Sequence, residues 1–157
     1  MNSKKQMIKE LFETHIEVQN LENTIDFYQN TLGLELCRKK DDRRLAFFWL
    51  GNTKQQMLSL WEKADGDIAK RHFAFECEPD WIINESVNFL KSKNLSCRNF
   101  LNDGSEKPMV FAWMPAISIY FDDPDGNYLE FIGILNGTAR PEKGIISYDE
   151  FIELEKK

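Results

Sequence analysis

The chain has two histidines, His15 and His72. His15 lies in Thr14-His15-Ile16-Glu17-Val18, and His72 lies in Arg71-His72-Phe73-Ala74-Phe75-Glu76. A third group stands out in Tyr128-Leu129-Glu130-Phe131-Ile132, where Glu130 is the one charge in an apolar run. A carboxylate so placed must reach water, a partner or a metal. Two imidazoles and one carboxylate make a facial triad, which holds a divalent ion and leaves positions open for water or substrate. Fe(II), Mn(II), Zn(II) and Ni(II) all suit that set, and the affinity order alone does not choose among them.

Strands must carry all three groups. In residues 11–19, Phe12, Thr14, Ile16 and Val18 alternate with Glu13, His15, Glu17 and Gln19, so His15 falls on the polar face. His72 shares a face with Ala74 and Glu76, opposite Phe73 and Phe75. Tyr128, Glu130 and Ile132 share one face of their run, with Leu129 and Phe131 on the other. Ser118-Ile119-Tyr120-Phe121 leads into Asp122-Asp123-Pro124-Asp125-Gly126-Asn127, a turn followed by the Glu130 strand. The aspartates of that turn lack calcium-ligand spacing and are explained by the turn itself.

The rest of the chain falls into two halves of one pattern. After the first strand, a helix is predicted over residues 21–32. Leu21, Ile25, Tyr28 and Leu32 form its stripe, Asn20 its N-cap and Gly33 its stop. Strands follow at 34–39, 45–50 and 56–61. Residues 62–69 read as a linker. The second half begins with a strand at 72–77. A helix from Pro79 to about residue 93 turns Ile83, Val87 and Leu90 inward. A strand is predicted at 95–100, a long loop at 101–114, and then the hairpin. The order is β-α-β-β-β twice, an internal repeat. The modules span residues 11–62 and 70–134. Residues 135–157 form a linker and a short helix, opened by the capping box Ser147-Tyr-Asp-Glu150 and packed on the body or on a second subunit. The fold class is α+β: two βαβββ modules forming a curved mixed sheet, with helices on the outer face and a cup inside. Pairing the modules in that way would let His15, His72 and Glu130 converge.

With 157 residues, 42% hydrophobic and 29% charged, the chain is globular. A formal net charge of −6 argues against nucleic acid and anionic membranes as partners. Absence of an apolar run of about 18 residues excludes a spanning helix. Residues 1–10 read as a loose arm or short helix without the apolar region of a secretory signal. Cys37, Cys77 and Cys97, an odd number with no CxxC, read as buried reduced thiols of a cytoplasmic protein. Trp49, Trp61, Phe111 and Trp113 are candidates to line an apolar substrate cup, though core packing explains them equally well. Glu17 and Glu76 are candidate pocket carboxylates. The greasy stretch at 108–115 is either a lid or a buried connection.

These motifs, together with Phe27-Tyr28-Gln29-Asn30-Thr31-Leu32-Gly33-Leu34, resemble the vicinal oxygen chelate superfamily over residues 11–134. That superfamily includes glyoxalase I, bleomycin-resistance proteins, fosfomycin-resistance enzymes and extradiol dioxygenases. The resemblance implies metal ligands at His15, His72 and Glu130, a small oxygen-rich substrate and a homodimer. Glyoxalase I-like members carry a further carboxylate in strand four, where Ser59 stands here. Glu130 would then serve as both ligand and catalytic base, or Glu17 or Glu76 would act. The single module pair favours lyase or isomerase chemistry over dioxygenation. Ring cleavage, a fosfomycin-type activity, and a metal-free module that sequesters a drug or metabolite are the alternatives.

Overall fold

The computed structural model describes residues 7–63 and 65–157. The chain divides into two compact units, the first ending at Lys70 and the second beginning at Arg71. Each carries its own mixed sheet, and the fold class is α+β. Residues 1–6 of the predicted N-terminal arm lie outside the described residues.

The first unit runs β1 (Glu13–Val18), α1 (Leu21–Asp26), β2 (Glu35–Lys40), β3 (Leu45–Leu50) and β4 (Gln56–Glu62). The sheet order is β1-β4-β3-β2, with β1 parallel to β4 and the other pairs antiparallel. Alternation sorts β1 as expected: Ile16 and Val18 are buried, while His15 is not. The Asn20 side chain caps α1 by accepting from the Asn23 N–H at 3.0 Å. The helix does not stay α-helical to residue 32. From Phe27 to Thr31 it widens into a π turn, and Leu32 N–H bonds the Phe27 carbonyl. The extra residue per turn rotates the stripe, so Phe27 joins Leu21, Ile25 and Tyr28 in the core while Leu32 stays half-buried. Gly33 stops the helix at φ +78°.

The carboxylate of Glu62, at the end of β4, accepts from the first N–H of α1 at Leu21 (2.8 Å). It also takes two hydrogen bonds from the Arg44 guanidinium, at 2.8 and 2.6 Å. Those donors hold its pKa below the usual glutamate range. A lowered folded-state pKa stabilises above the unfolded-state value and is lost as pH falls through it. We therefore expect Glu62→Gln to lower the melting temperature at neutral pH and to flatten its fall below about pH 4.5. Melting curves over that range check it.

The second unit runs β5 (His72–Glu76), α2 (Pro79–Asn84), α3 (Ser86–Ser92), β6 (Met109–Phe111), β7 (Ala116–Asp122), β8 (Tyr128–Ile134), β9 (Ile145–Ser147) and α4 (Tyr148–Glu155). Its order is β5-β8-β7-β6-β9. The run β5-β8-β7-β6 repeats β1-β4-β3-β2, including the parallel pairing of the first strand with the last.

Several local expectations fail here for identifiable reasons. The strand predicted at 95–100 does not form; Arg98 makes an isolated bridge to Tyr120. Asn94 and Asn102 both take positive φ, and the Asn99 side chain bonds Asp103 and Ser105 instead of leaving the backbone to a ladder. Its place in the sheet goes to β6, inside the greasy stretch at 108–115. Val110, Phe111 and Ala112 are buried, so that stretch is a buried connection. β9, predicted only as linker, completes the far edge beside β6. The single helix predicted from Pro79 breaks at Glu85, whose φ is −123°. Ile82, Ser86 and Leu90 face the core, whereas Ile83 and Val87 are half-buried. Ser86 donates its hydroxyl to the Ile82 carbonyl, a bond that bends helices.

The capping box at Ser147 forms, with Ser147 Oγ accepting from Glu150 N–H. The helix it opens, α4, packs Phe151 into the same unit. Cys97 is buried and Cys77 half-buried, but Cys37 is exposed, contrary to expectation, because β2 is an edge strand. At Gly133 an added Cβ would lie 2.7 Å from the Cys77 carbonyl oxygen and 3.1 Å from Pro79 Cα. Both are backbone atoms, so the β5–α2 junction must move. We expect Gly133→Ala to cost about 1–3 kcal/mol, read as a lower urea midpoint.

Candidate functional site

Each unit places one histidine beside one carboxylate. In the second, β5 and β8 run parallel with His72 opposite Tyr128 and Ala74 opposite Glu130. Leu129 and Phe131 turn to the core under α2, where Trp81 meets the Phe131 ring at 5.2 Å. Glu130 therefore projects from the face that carries His72. His72 Nε2 lies 3.2 Å from Glu130 Oε2. The imidazole is half-exposed, while the carboxylate side chain is only 5% exposed.

His72 Nδ1 is 3.1 Å from the Tyr128 carbonyl oxygen, and both that oxygen and the Glu130 carboxylate can only accept. A neutral imidazole carries a single N–H and satisfies one of them, so its other nitrogen faces an acceptor with a lone pair. Glu130 Oε1, also buried, has no hydrogen-bond partner. Such an arrangement is costly unless a proton or a cation sits between the donors. Two ligands of one ion, each bonded at about 2.1 Å, stand roughly 3.0–3.4 Å apart. The pair thus fits a divalent metal. Tyr120, opposite Glu130 on β7, stacks on the His72 ring with centroids 5.6 Å apart. Burial first, and then the neighbouring Glu130 charge, push its phenol pKa up, so it stays protonated.

In the first unit, β1 and β4 are parallel with His15 opposite Ser59 and Glu17 opposite Trp61. His15 Nε2 lies 3.3 Å from Glu13 Oε1. The fully buried Ser59 donates its hydroxyl to the same oxygen at 2.5 Å. Trp61 is partly exposed and meets the His15 ring at 5.4 Å. Among the described residues, no group of three or more His, Cys, Asp or Glu side chains able to hold a metal ion is found.

The remaining candidates fare differently. Glu17 accepts from the Ala69 N–H at 3.1 Å and lies 3.5 Å from Lys63 Nζ, tying down the chain after β4. Glu76 is exposed, on the His72 face of β5 and opposite Ile132. Trp113 is exposed in the turn after β6 and ends a row of rings that starts at His72: Tyr120, Phe100, Phe111, Trp113. Cys77 is no nucleophile, because burial pushes its thiol up to about 11. Glu13, Tyr120 and Phe100 escaped the sequence reading. The signal for Glu13 was its two-residue spacing from His15 on the polar face. The signal for Tyr120 was its place across the hairpin from Glu130.

A profile of the Glyoxalase/Bleomycin resistance protein/Dioxygenase superfamily matches residues 11–131. The lactoylglutathione lyase of Neisseria meningitidis serogroup A is 30% identical over 132 residues, covering 78% of this chain and 88% of its own. An integron cassette protein from the mobile metagenome of the Halifax Harbour sewage outfall has a crystal structure 34% identical in sequence. It superposes with a TM-score of 0.68, over 81% of this chain and all of the other. The crystal structure of lactoylglutathione lyase from Agrobacterium tumefaciens, 23% identical, shares the fold with a TM-score of 0.63 over 82% and 96% of the two chains. The chain belongs to the Glyoxalase/Bleomycin resistance protein/Dioxygenase superfamily.

Proposed function

We propose that the protein is a metal-dependent enzyme of the glyoxalase type, with His15, His72 and Glu130 together holding one divalent ion. One observation carries the reading: the buried, unpartnered oxygen of Glu130, whose other oxygen lies 3.2 Å from His72 Nε2. When bound, the ion supplies Lewis acidity toward two adjacent oxygens of a small substrate. The chain's own residues do the rest. Glu130 takes and returns the proton at the carbon next to the substrate carbonyl. The Tyr128 carbonyl, 3.1 Å from Nδ1, orients the His72 ring. The Tyr120 phenol, held protonated, donates a hydrogen bond at the same place. Trp61, and the ring row ending at Trp113, receive the apolar parts of the substrate. The protein works as a homodimer.

The name of the Neisseria relative, lactoylglutathione lyase, supports a reading of the substrate class. Lactoylglutathione is a thioester of a 2-hydroxy acid, with two vicinal oxygens. We expect turnover of an α-oxoaldehyde–thiol adduct to stop on chelation, return with a divalent ion, and be lost in His72→Ala. Turnover that survives exhaustive chelation, or His72→Ala at the wild-type rate, contradicts the reading. A binding module without turnover is the second reading, favoured by Ser59 in strand four and by the exposed rings Phe100 and Trp113. Its signature is a ligand that raises the melting temperature equally in wild type and His15→Ala.

A further inference from the structure

We infer that Asn136 is a self-modification site: its side-chain amide condenses with the Gly137 nitrogen, and the isoaspartate that forms loosens α4 from the second unit. The inference is independent of the metal reading. The chain holds one Asn-Gly pair, at 136–137, just after β8. Glycine, having no Cβ, is the neighbour that least hinders attack by its own main-chain nitrogen. Asn136 and Gly137 are both exposed and lie outside any helix or strand. Among the described residues, no hydrogen bond holds the Asn136 amide or the Gly137 N–H. The anchors stand on either side: Leu135 N–H donates to the Pro115 carbonyl at 2.7 Å, and Thr138 N–H to the Glu155 carboxylate at 3.2 Å. Packing also keeps residue 137 a glycine. Its φ is not positive, but a Cβ there would lie 2.5 Å from Phe151 Cζ. The seating of α4 thus imposes the very residue that opens Asn136 to attack.

The reaction needs only water. The Gly137 nitrogen bonds to Asn136 Cγ, the Cγ–Nδ2 bond breaks, and ammonia leaves with the Gly137 amide proton. Water then opens the cyclic imide. Opening at the main-chain carbonyl routes the backbone through Cγ and leaves isoaspartate, whereas opening at Cγ leaves aspartate. Nothing is oxidised or reduced, and each product carries a carboxylate where a neutral amide stood.

Isoaspartate lengthens the main chain by one methylene where there is no slack. Gly137 lies against Phe151, the buried anchor of α4. Beyond it, Thr138 donates to Glu155, and Arg140 to Glu155 and to the Leu154 carbonyl, at the far end of the same helix. A shift of 137–140 disturbs both attachments. The new charge matters less. Asn136 shares a cleft with Glu78 and Asp80, but repulsion between exposed carboxylates is screened by water and salt.

The full chain is incubated folded, and separately in urea, in mildly alkaline buffer. Ion exchange, intact mass and peptide mapping follow the acidic product. We expect it to arise at residue 136 before any other asparagine, to form in the folded protein within an order of magnitude of the rate in urea, and to be absent from Asn136→Gln. The isoaspartyl protein is then isolated. Its α4, residues 148–155, should exchange amide hydrogens faster than in unmodified protein, and its melting temperature should fall by a few degrees. Asn136→Asp, which has the charge without the extra methylene, should follow wild type in both. Residue 136 unchanged while other asparagines react, or protected by folding by more than an order of magnitude, overturns the site. An isoaspartyl protein whose α4 exchanges like wild type, or an Asn136→Asp protein loosened to the same extent, overturns the consequence drawn from it.

Discussion

Glu130→Gln is expected to make the metal-free protein more stable and to remove its hold on a metal. The two effects have one cause. Glu130 is buried, one of its oxygens is orphaned, and the other lies 3.2 Å from His72 Nε2. A buried unsatisfied polar atom costs about 1–3 kcal/mol. Glutamine keeps the shape, removes the charge and offers His72 Nε2 an amide that pairs with either tautomer. In chelator we expect the variant to melt a few degrees above wild type. With a divalent ion at a hundredfold its Kd, wild type should gain about 2.7 kcal/mol and the variant should gain nothing. The order of the two melting temperatures therefore inverts on adding metal. A substitution that merely damaged the core would lower both curves without inversion.

Asp123→Ala should cause the largest loss of stability we expect from a single change in the second unit. Asp123 begins the β7–β8 turn and is buried with Asn127. Its Oδ1 accepts from the N–H groups of Asp125 (3.0 Å) and Asn127 (2.8 Å), and its Oδ2 from the Asn127 amide (2.8 Å). Asn127 in turn receives the Arg71 N–H at 2.8 Å, joining the turn to the start of β5. Alanine strands three donors, two of them on a buried residue. The cost is about 3 kcal/mol or more, since bonds to a charged acceptor are the stronger ones. Urea unfolding followed by circular dichroism measures it. Asp123→Asn, which keeps most acceptors, should lose less than half as much.

What was legible in the sequence follows the strength of the local signal. The repeat, the hairpin turn, the Asn20 cap, the Ser147 capping box and the faces of β1, β5 and β8 were all readable. Each rests on alternation or on a side chain that bonds its own neighbourhood. The strand at 95–100 was misplaced because three apolar positions (Leu95, Cys97 and Phe100) look strand-like. Asparagines that take positive φ or bond locally override them. β6 was invisible because a three-residue strand buried on both faces shows no alternation. The helix stripe of 79–93 was read one residue off, because nothing in the sequence marks the break at Glu85. At the site, alternation assigned His72 and Glu130 their strand faces, and their side chains stand 3.2 Å apart. The Glu13–Ser59 bond was not legible, because a side-chain bond between strands 46 residues apart leaves no local signal in the sequence.

Metal content tests most directly the proposal that His15, His72 and Glu130 share one ion. Protein purified without a histidine tag is analysed for Zn, Ni, Mn and Fe beside His15→Ala and His72→Ala, all three confirmed folded by circular dichroism. We expect close to one equivalent of a single divalent metal per chain in wild type, and loss of most of it in each variant, although the two histidines stand 57 residues apart. Wild type that holds no metal and refuses all four ions contradicts the claim, as does a folded His15→Ala or His72→Ala protein that keeps the full complement.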